Sequence, residues 1–199
     1  MNPIALTEDE QDVLQELTNV AYGDATAVVA EMLDAFASLS IPNIKVMETK
    51  SLLEELRNLK GGSYFFSTQA FNGEFSGESA FFIDNESAKN LAEHLELESE
   101  EDLDDAILEL TNVLTSSLTT RLAKEMGTEV KFSLPSISKL PQNEVQTNQT
   151  FKEYSQVIVI DTQLNFKDQK INGEIFILTK DGSIEWLKKR LNSILEALM

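Results

Sequence analysis

Glu16-Leu17-Thr18-Asn19-Val20 returns letter for letter as Glu109-Leu110-Thr111-Asn112-Val113. Each copy sits in a longer and sparser pattern, with an acid four residues before the Glu and a proline twenty-three residues after the Asn. The first set is Asp12, Glu16, Asn19 and Pro42; the second is Asp105, Glu109, Asn112 and Pro135, at a constant spacing of 93 residues. The tripeptide Ser40-Ile41-Pro42 likewise returns as Ser133-Leu134-Pro135. The chain is therefore read as a tandem duplication, a single domain over residues 1–199 built from two repeats at about 5–98 and 99–199. Packing explains why a repeat keeps apolar residues. It does not explain why polar side chains recur at fixed spacing, so the repeated Asp, Glu and Asn are the functional lead.

Composition narrows the partners. The 199 residues carry thirty-four acids against sixteen bases, a formal charge of −18, which repels nucleic acid and anionic lipid at long range and favours a partner with a basic patch. With 42% hydrophobic and 25% charged residues, the composition is that of a folded globular chain. Cysteine is absent, so disulfides and thiolate metal sites are excluded. The opening Met1-Asn2-Pro3-Ile4 lacks a basic region followed by an apolar stretch, and no apolar run reaches membrane-spanning length. A cytoplasmic protein without membrane insertion is expected.

Periodicity places the motif on helices. From Glu8 to Leu39 the apolar residues Val13, Leu14, Leu17, Val20, Ala21, Val28, Met32 and Phe36 recur at helical spacing, predicting one long helix or two in succession. Thr7 followed by Glu10 offers a capping box. Pro42 ends the helical stretch, and Asn43–Glu48 reads as a strand. Two strand-like runs, Tyr64–Ala70 and Glu74–Ile83, flank Asn72-Gly73, a hairpin signal, and Asn85–Leu97 returns to helical spacing. The second half repeats this order: a helix near Leu103–Met126, strands at Gln156–Phe166 and Ile171–Thr179 joined by a turn at Lys167–Lys170, and a closing helix at Ile184–Leu198. Asn172-Gly173-Glu174 echoes Asn72-Gly73-Glu74 at a different local spacing, and polar Gln142–Glu153 reads as a loop. The expected fold is α+β, a pseudo-two-fold pair of helix, strand, hairpin, helix units with long helices packed on a mixed or antiparallel sheet.

At about 100° per residue, Asp12, Glu16, Asn19 and Gly23 fall within a stripe roughly 60° wide. The apolar centre formed by Val13, Leu17, Ala21 and Val28 lies about 135° away, so the stripe should face solvent. Asp105, Glu109, Asn112 and Ser116 stand likewise opposite Ala106, Leu110 and Leu114. Gly23 and Ser116, one turn after each Asn, leave room for a macromolecule to approach the amide. A polar stripe on an amphipathic helix is ordinarily a solvated face; what sets these apart is that flanking positions have drifted while the Asp, Glu and Asn have not.

An Asn amide is neither acid nor nucleophile at neutral pH, but it can donate and accept hydrogen bonds and so hold a water in line for attack. Phosphoryl hydrolysis, in which catalysis is largely positioning and electrostatics, suits such a group. The carboxylate would serve as a docking charge for a Lys or Arg. A metal-dependent hydrolase built from the carboxylates is the rival chemistry, disfavoured by one histidine and no cysteine. That histidine, His94, is expected on the exposed side of an ordinary helix. Trp186, Phe65-Phe66 and Phe81-Phe82 read as packing residues, and the acidic run Glu96–Asp105 as a linker and first helical turn.

These motifs resemble the chemotaxis phosphatase family of CheC, CheX and FliY, whose signature is an Asp or Ser, three residues, Glu, two residues, Asn, twenty-two residues and Pro; both copies fit it. The resemblance spans essentially the whole chain, and two sites in a short chain are most similar to the CheC branch. It implies hydrolysis of the aspartyl phosphate of the response regulator CheY, with Glu16 and Glu109 binding a Lys of the receiver and Asn19 and Asn112 orienting the attacking water. Asp12 and Asp105 would take a supporting role, and Pro42 and Pro135 a structural one. No metal of its own is implied; Mg2+ is expected on the receiver substrate. The receptor deamidase CheD is a further implied partner. The alternative within the family is a non-catalytic adaptor binding a phosphorylated receiver or CheD. A monomer is expected, since the duplication supplies what a one-site relative builds from two chains.

Overall fold

Both long helices begin at the caps that local chemistry provides. The computed structural model describes residues 5–40, 43–57, 63–141, 156–179 and 181–198; Pro42 and the loop expected at Gln142–Glu153 lie outside the described residues. Helix α1 spans Glu8–Met32 behind a Thr7–Glu10 capping box, and α4 spans Glu100–Glu125 behind a Ser99–Asp102 box, each with three acids in its first turn. Around them run β1 (Ser38–Leu39), β2 (Asn43–Glu48), α2 (Thr49–Arg57), β3 (Ser63–Gly73), β4 (Gly77–Asp84) and α3 (Asn85–His94). After α4 come β5 (Val130–Phe132), β6 (Ser136–Pro141), β7 (Gln156–Phe166), β8 (Ile171–Thr179) and α5 (Asp181–Leu198).

The strands form one antiparallel sheet ordered β1-β7-β8-β4-β3-β5, with β2 also on β7 and β6 also on β3. The two halves thus exchange strands: β1 and β2 pair with the second half's hairpin, while β5 and β6 pair with the first's. The exchange keeps the spacing of the sequence repeat. Asn43 lies opposite Asp161 and Ser136 opposite Thr68, and each pair maps onto the other by a shift of 93. At the centre, β4 and β8 meet with Ala80 opposite Phe176, a spacing of 96, so the pseudo-two-fold axis passes through this pair.

Alternation along the strands buries both faces of the sheet. Phe65, Phe81, Ile158, Ile160, Ile175 and Ile177 join Leu14, Ala25 and Val29 of α1 and Ile107, Leu114 and Leu118 of α4 in the main core. Their neighbours Phe66, Phe82, Val157, Val159, Phe176 and Leu178 point the other way and pack with Leu52 of α2. Burial on both sides is why Val157–Ile160 and Ile175–Leu178 read as unbroken apolar runs.

Several expectations are corrected by these contacts. Asn72-Gly73 is not the hairpin turn: both residues continue β3, opposite Lys131 and Val130, and the chain reverses over 74–76. Phe75 decides this, because the turn must deliver its ring into the core against Phe71, with ring centroids 5.0 Å apart. The Asn-Gly-Glu echo is therefore not structural. Gly173 corresponds to Gly77, since Leu164 faces Gly173 as Phe71 faces Gly77. A Cβ at Gly77 would lie 1.9 Å from the Leu178 carbonyl oxygen, and one at Gly173 2.4 Å from the Phe81 ring, so both positions require the close approach only glycine permits.

Helix α1 stops at Met32 instead of continuing towards Leu39, and Asp34 adopts a φ of 44° as the chain leaves it. Val28, expected in the apolar centre, is 44% exposed; Leu14, Thr18, Ala21, Ala25 and Val29 form the buried line. Contacts with α4, α5 and the sheet fix that arc, not the hydropathy of the side chains alone. Helix α2 has no counterpart in the sequence-based expectation. His94 is half-buried, with Nε2 2.7 Å from the Leu33 carbonyl oxygen, so it ties α3 to the end of α1 instead of facing solvent. Phe65, Phe66, Phe81 and Phe82 are buried, and Trp186 is partly buried against the main core.

Candidate functional site

The two polar stripes occupy outward faces of α1 and α4. Asp12, Glu16, Asn19 and Gly23 are all exposed; Asp105 and Glu109 are exposed, while Asn112 and Ser116 are half-buried. The helices lie side by side, linked by an ion pair of 3.0 Å between Arg121 and Asp24. Among the described residues neither Glu16 nor Glu109 has an ion-pair or hydrogen-bond partner. Some other carboxylates are matched to cations, among them Glu10 to Lys188, Glu100 to Lys139 and both Asp24 and Glu125 to Arg121. Each stripe thus offers an uncommitted carboxylate one turn before an amide. Among the described residues no three His, Cys, Asp or Glu side chains assemble into a metal-holding group.

Gly23 is not demanded by the chain's own packing, since a Cβ there would meet nothing within 4 Å. Beside Asn19 and Gly23 a cleft of about 390 Å³ runs between Tyr22 and Thr26 of α1 and the segment Ala37–Ser40. A serine in each junction pins that segment to a strand of the other half. The Ser40 amide donates to the Gln163 carbonyl and its Oγ accepts from the Gln163 amide, both at 2.9 Å. The Ser133 amide donates to the Ala70 carbonyl at 3.0 Å and its Oγ accepts from the Ala70 amide at 3.1 Å. Residues 40 and 133, and 163 and 70, differ by the same 93 positions, so strand exchange builds both junctions alike. Pro135 is half-buried between β5 and β6, and Leu134 before it is 92% exposed beside the second stripe.

The amides themselves are held differently. Asn19 Oδ1 accepts from Gln15 Nε2 at 3.2 Å, within the exposed face of one helix. Asn112 Oδ1 accepts from Gln69 Nε2 at 2.8 Å, and the same nitrogen donates to the Ser133 carbonyl at 2.9 Å. Gln69 projects from β3 beneath α4. One residue earlier on α4, the Thr111 hydroxyl bonds that of Ser67 across the same contact. Neither Gln69 nor Ser133 was legible as a site residue. Ser133 carried a signal, its repeat-mate Ser40, whereas Gln69 carried none, because Thr162 stands in its place 93 residues on.

Comparison with known proteins agrees with this architecture. A family profile described as chemotaxis phosphatase CheX matches residues 65–161, a stretch that contains the second acidic motif in full. The CheY-P phosphatase CheC of Bacillus subtilis (strain 168) is 24% identical over 200 residues, covering 92% of this chain and 93% of that protein. The crystal structure of Thermotoga maritima FliY superposes with a TM-score of 0.76 at 15% identity, covering 96% of this chain and 99% of that one. The CheX–CheY–BeF3–Mg2+ complex from Borrelia burgdorferi gives a TM-score of 0.54 at 14% identity, over 82% of this chain and 97% of that one. Structural likeness at these identities establishes a shared fold.

Proposed function

We propose, from its likeness to the chemotaxis phosphatase family of CheC, CheX and FliY, that this chain hydrolyses the aspartyl phosphate of a CheY-type receiver in the cytoplasm, ending the motor signal. The observation that carries this reading is the pair of uncommitted Glu carboxylates, each one turn from an Asn amide on an outward helix face. On a chain of charge −18, such a carboxylate is poised for a cation from outside, and a receiver lysine supplies one. Glu16 and Glu109 are then the docking charges, while Asn19 and Asn112 enter the receiver's site and hold the attacking water. As the water oxygen bonds to phosphorus, the bond to the aspartyl oxygen breaks. The receiver's carboxylate and inorganic phosphate are released, and the water's proton leaves on the phosphate. The receiver's own Mg2+ neutralises charge on the phosphoryl oxygens, so this chain contributes position and hydrogen bonds. Asp12 and Asp105, one turn further back, add to the acidic face that meets a basic partner. The protein acts as a monomer in this reading, because one chain carries both stripes.

The test follows loss of phosphate from a magnesium-bound phosphorylated receiver in the presence of wild type, Asn19→Ala, Asn112→Ala and the double variant. Wild type accelerates decay, each single variant keeps part of the effect, and the double variant loses about 100-fold or more. Retained binding with no acceleration by wild type would leave an adaptor instead. A chelator should act only through the receiver's magnesium.

A further inference from the structure

Gln69 is 1% exposed in the middle of a strand, where an amide is costly unless bonded. Its surroundings fix which way it faces. The Ser133 carbonyl oxygen can only accept, so the Gln69 atom 2.9 Å from it must be the amide nitrogen. That nitrogen is also 2.8 Å from the Asn112 amide, so the Asn112 atom facing it must be the carbonyl oxygen. One backbone carbonyl therefore sets the orientation of both side-chain amides. The NH2 of Asn112, on the other arm of its planar group, is left without an intramolecular partner among the described residues. Gln69 Oε1 is buried with no hydrogen-bond partner. A side chain kept only for packing would not carry that cost, since an apolar residue of equal length would fill the space without it.

Among the described residues the first site shows no such device. In the sequence Thr162 takes the place of Gln69 by the repeat spacing, and the hydrogen-bond partner that Asn19 has among the described residues is Gln15 on its own exposed helix face, where the second copy has Leu108. We propose that Gln69 is a positioning residue for the second site: it presents the Asn112 NH2 to an incoming phosphoryl group before any receiver docks. Asn19 is ordered only on docking. The inference rests on the phosphatase reading and deepens it, making the Asn112 site the preorganised one and the source of most turnover. Immobilising one polar side chain in advance corresponds to roughly two- to tenfold in rate.

Gln69→Met keeps the volume and removes the amide. In an Asn19→Ala background, where only the second site works, it should lower kcat for receiver dephosphorylation roughly two- to tenfold with KM nearly unchanged. In an Asn112→Ala background it should add no further loss. Side-chain amide NMR gives a readout independent of turnover: the Asn112 NH2 should be more ordered than that of Asn19, and Gln69→Met should release it. Unfolding midpoints measured on the same variants separate these effects from a weakened fold. Equal losses in the two backgrounds, or Asn112 no more ordered than Asn19, would overturn the inference while leaving the phosphatase reading intact. A wild-type protein with no effect on receiver decay would overturn both.

Discussion

The two copies of Glu-Leu-Thr-Asn-Val share every letter and differ in what lies beneath them. Under α4, Ser67 and Gln69 of β3 reach up to Thr111 and Asn112; at the positions equivalent by the repeat spacing the sequence has Ile160 and Thr162 instead. Thr18 and Thr111 both bond back to a carbonyl one turn earlier, Leu14 and Ile107, but only Thr111 is also tied to the sheet. The difference teaches that a helix can keep its outward face by local sequence while the rigidity of that face is set by the strand below. The helix starts differ as well. In the Thr7–Glu10 box Glu10 is buried against α5, where it accepts from Lys188 and Asn192, whereas the Ser99–Asp102 box is exposed.

Reversing the proposed docking charge tests whether the two outward faces are alike despite this. Glu109→Lys in an Asn19→Ala background, and Glu16→Lys in an Asn112→Ala background, should each raise KM for the phosphorylated receiver about tenfold or more. The wild-type KM should rise with ionic strength, read from initial rates across a salt series. A tenfold effect at one face and none at the other would mean that only one stripe docks a receiver.

A smaller effect should separate the inner faces. Thr111→Val leaves the buried Ser67 hydroxyl without its partner and should cost about 1–3 kcal/mol in denaturant unfolding. Thr18→Val removes only a bond within its own helix and should change stability by about 0.5 kcal/mol or less. Equal costs would show that α4 is no more firmly tied to the sheet than α1.

The caps should differ by less again, and with pH. Burial pushes the Glu10 carboxyl up, but hydrogen bonds from the Thr7 amide, Asn192 and Lys188, with the Lys188 charge, together hold it below the ordinary carboxylate value. A depressed carboxyl contributes stability that is present above its unfolded value and lost as pH falls through its folded value. Glu10→Gln should therefore cost about 1–2 kcal/mol at neutral pH. The gap from wild type should narrow as pH falls below the unperturbed value of 4.5. Asp102→Asn, at the exposed box, should cost about 0.5 kcal/mol or less. Thermal unfolding of both variants between neutral and acid pH measures the contrast.

Much of the secondary structure was legible because its causes are local. Gln156–Phe166 and Ile171–Thr179 stand as β7 and β8 where the sequence placed strands, and Thr7 with Glu10 forms the expected cap. The outward placement of Glu16, Asn19 and Glu109 followed from helical geometry alone. Asn72-Gly73 misled because a turn signal is also local, and here burial of Phe75 and pairing with β5 outweighed it. Helix α2 escaped because it is short: a nine-residue helix is marginal alone and draws its stability from the sheet it covers.

By itself the sequence determined that the chain is duplicated, which residues recur, and that each Glu and Asn share one helix face, because spacing along a helix converts directly into direction. Tertiary structure alone decided that the halves exchange strands, that Gly173 corresponds to Gly77, and that Asn112 rests on Gln69 while Asn19 rests on its own helix. Those outcomes depend on which strand lies across from which, a choice made by burying both faces of one sheet together, and no local pattern encodes it.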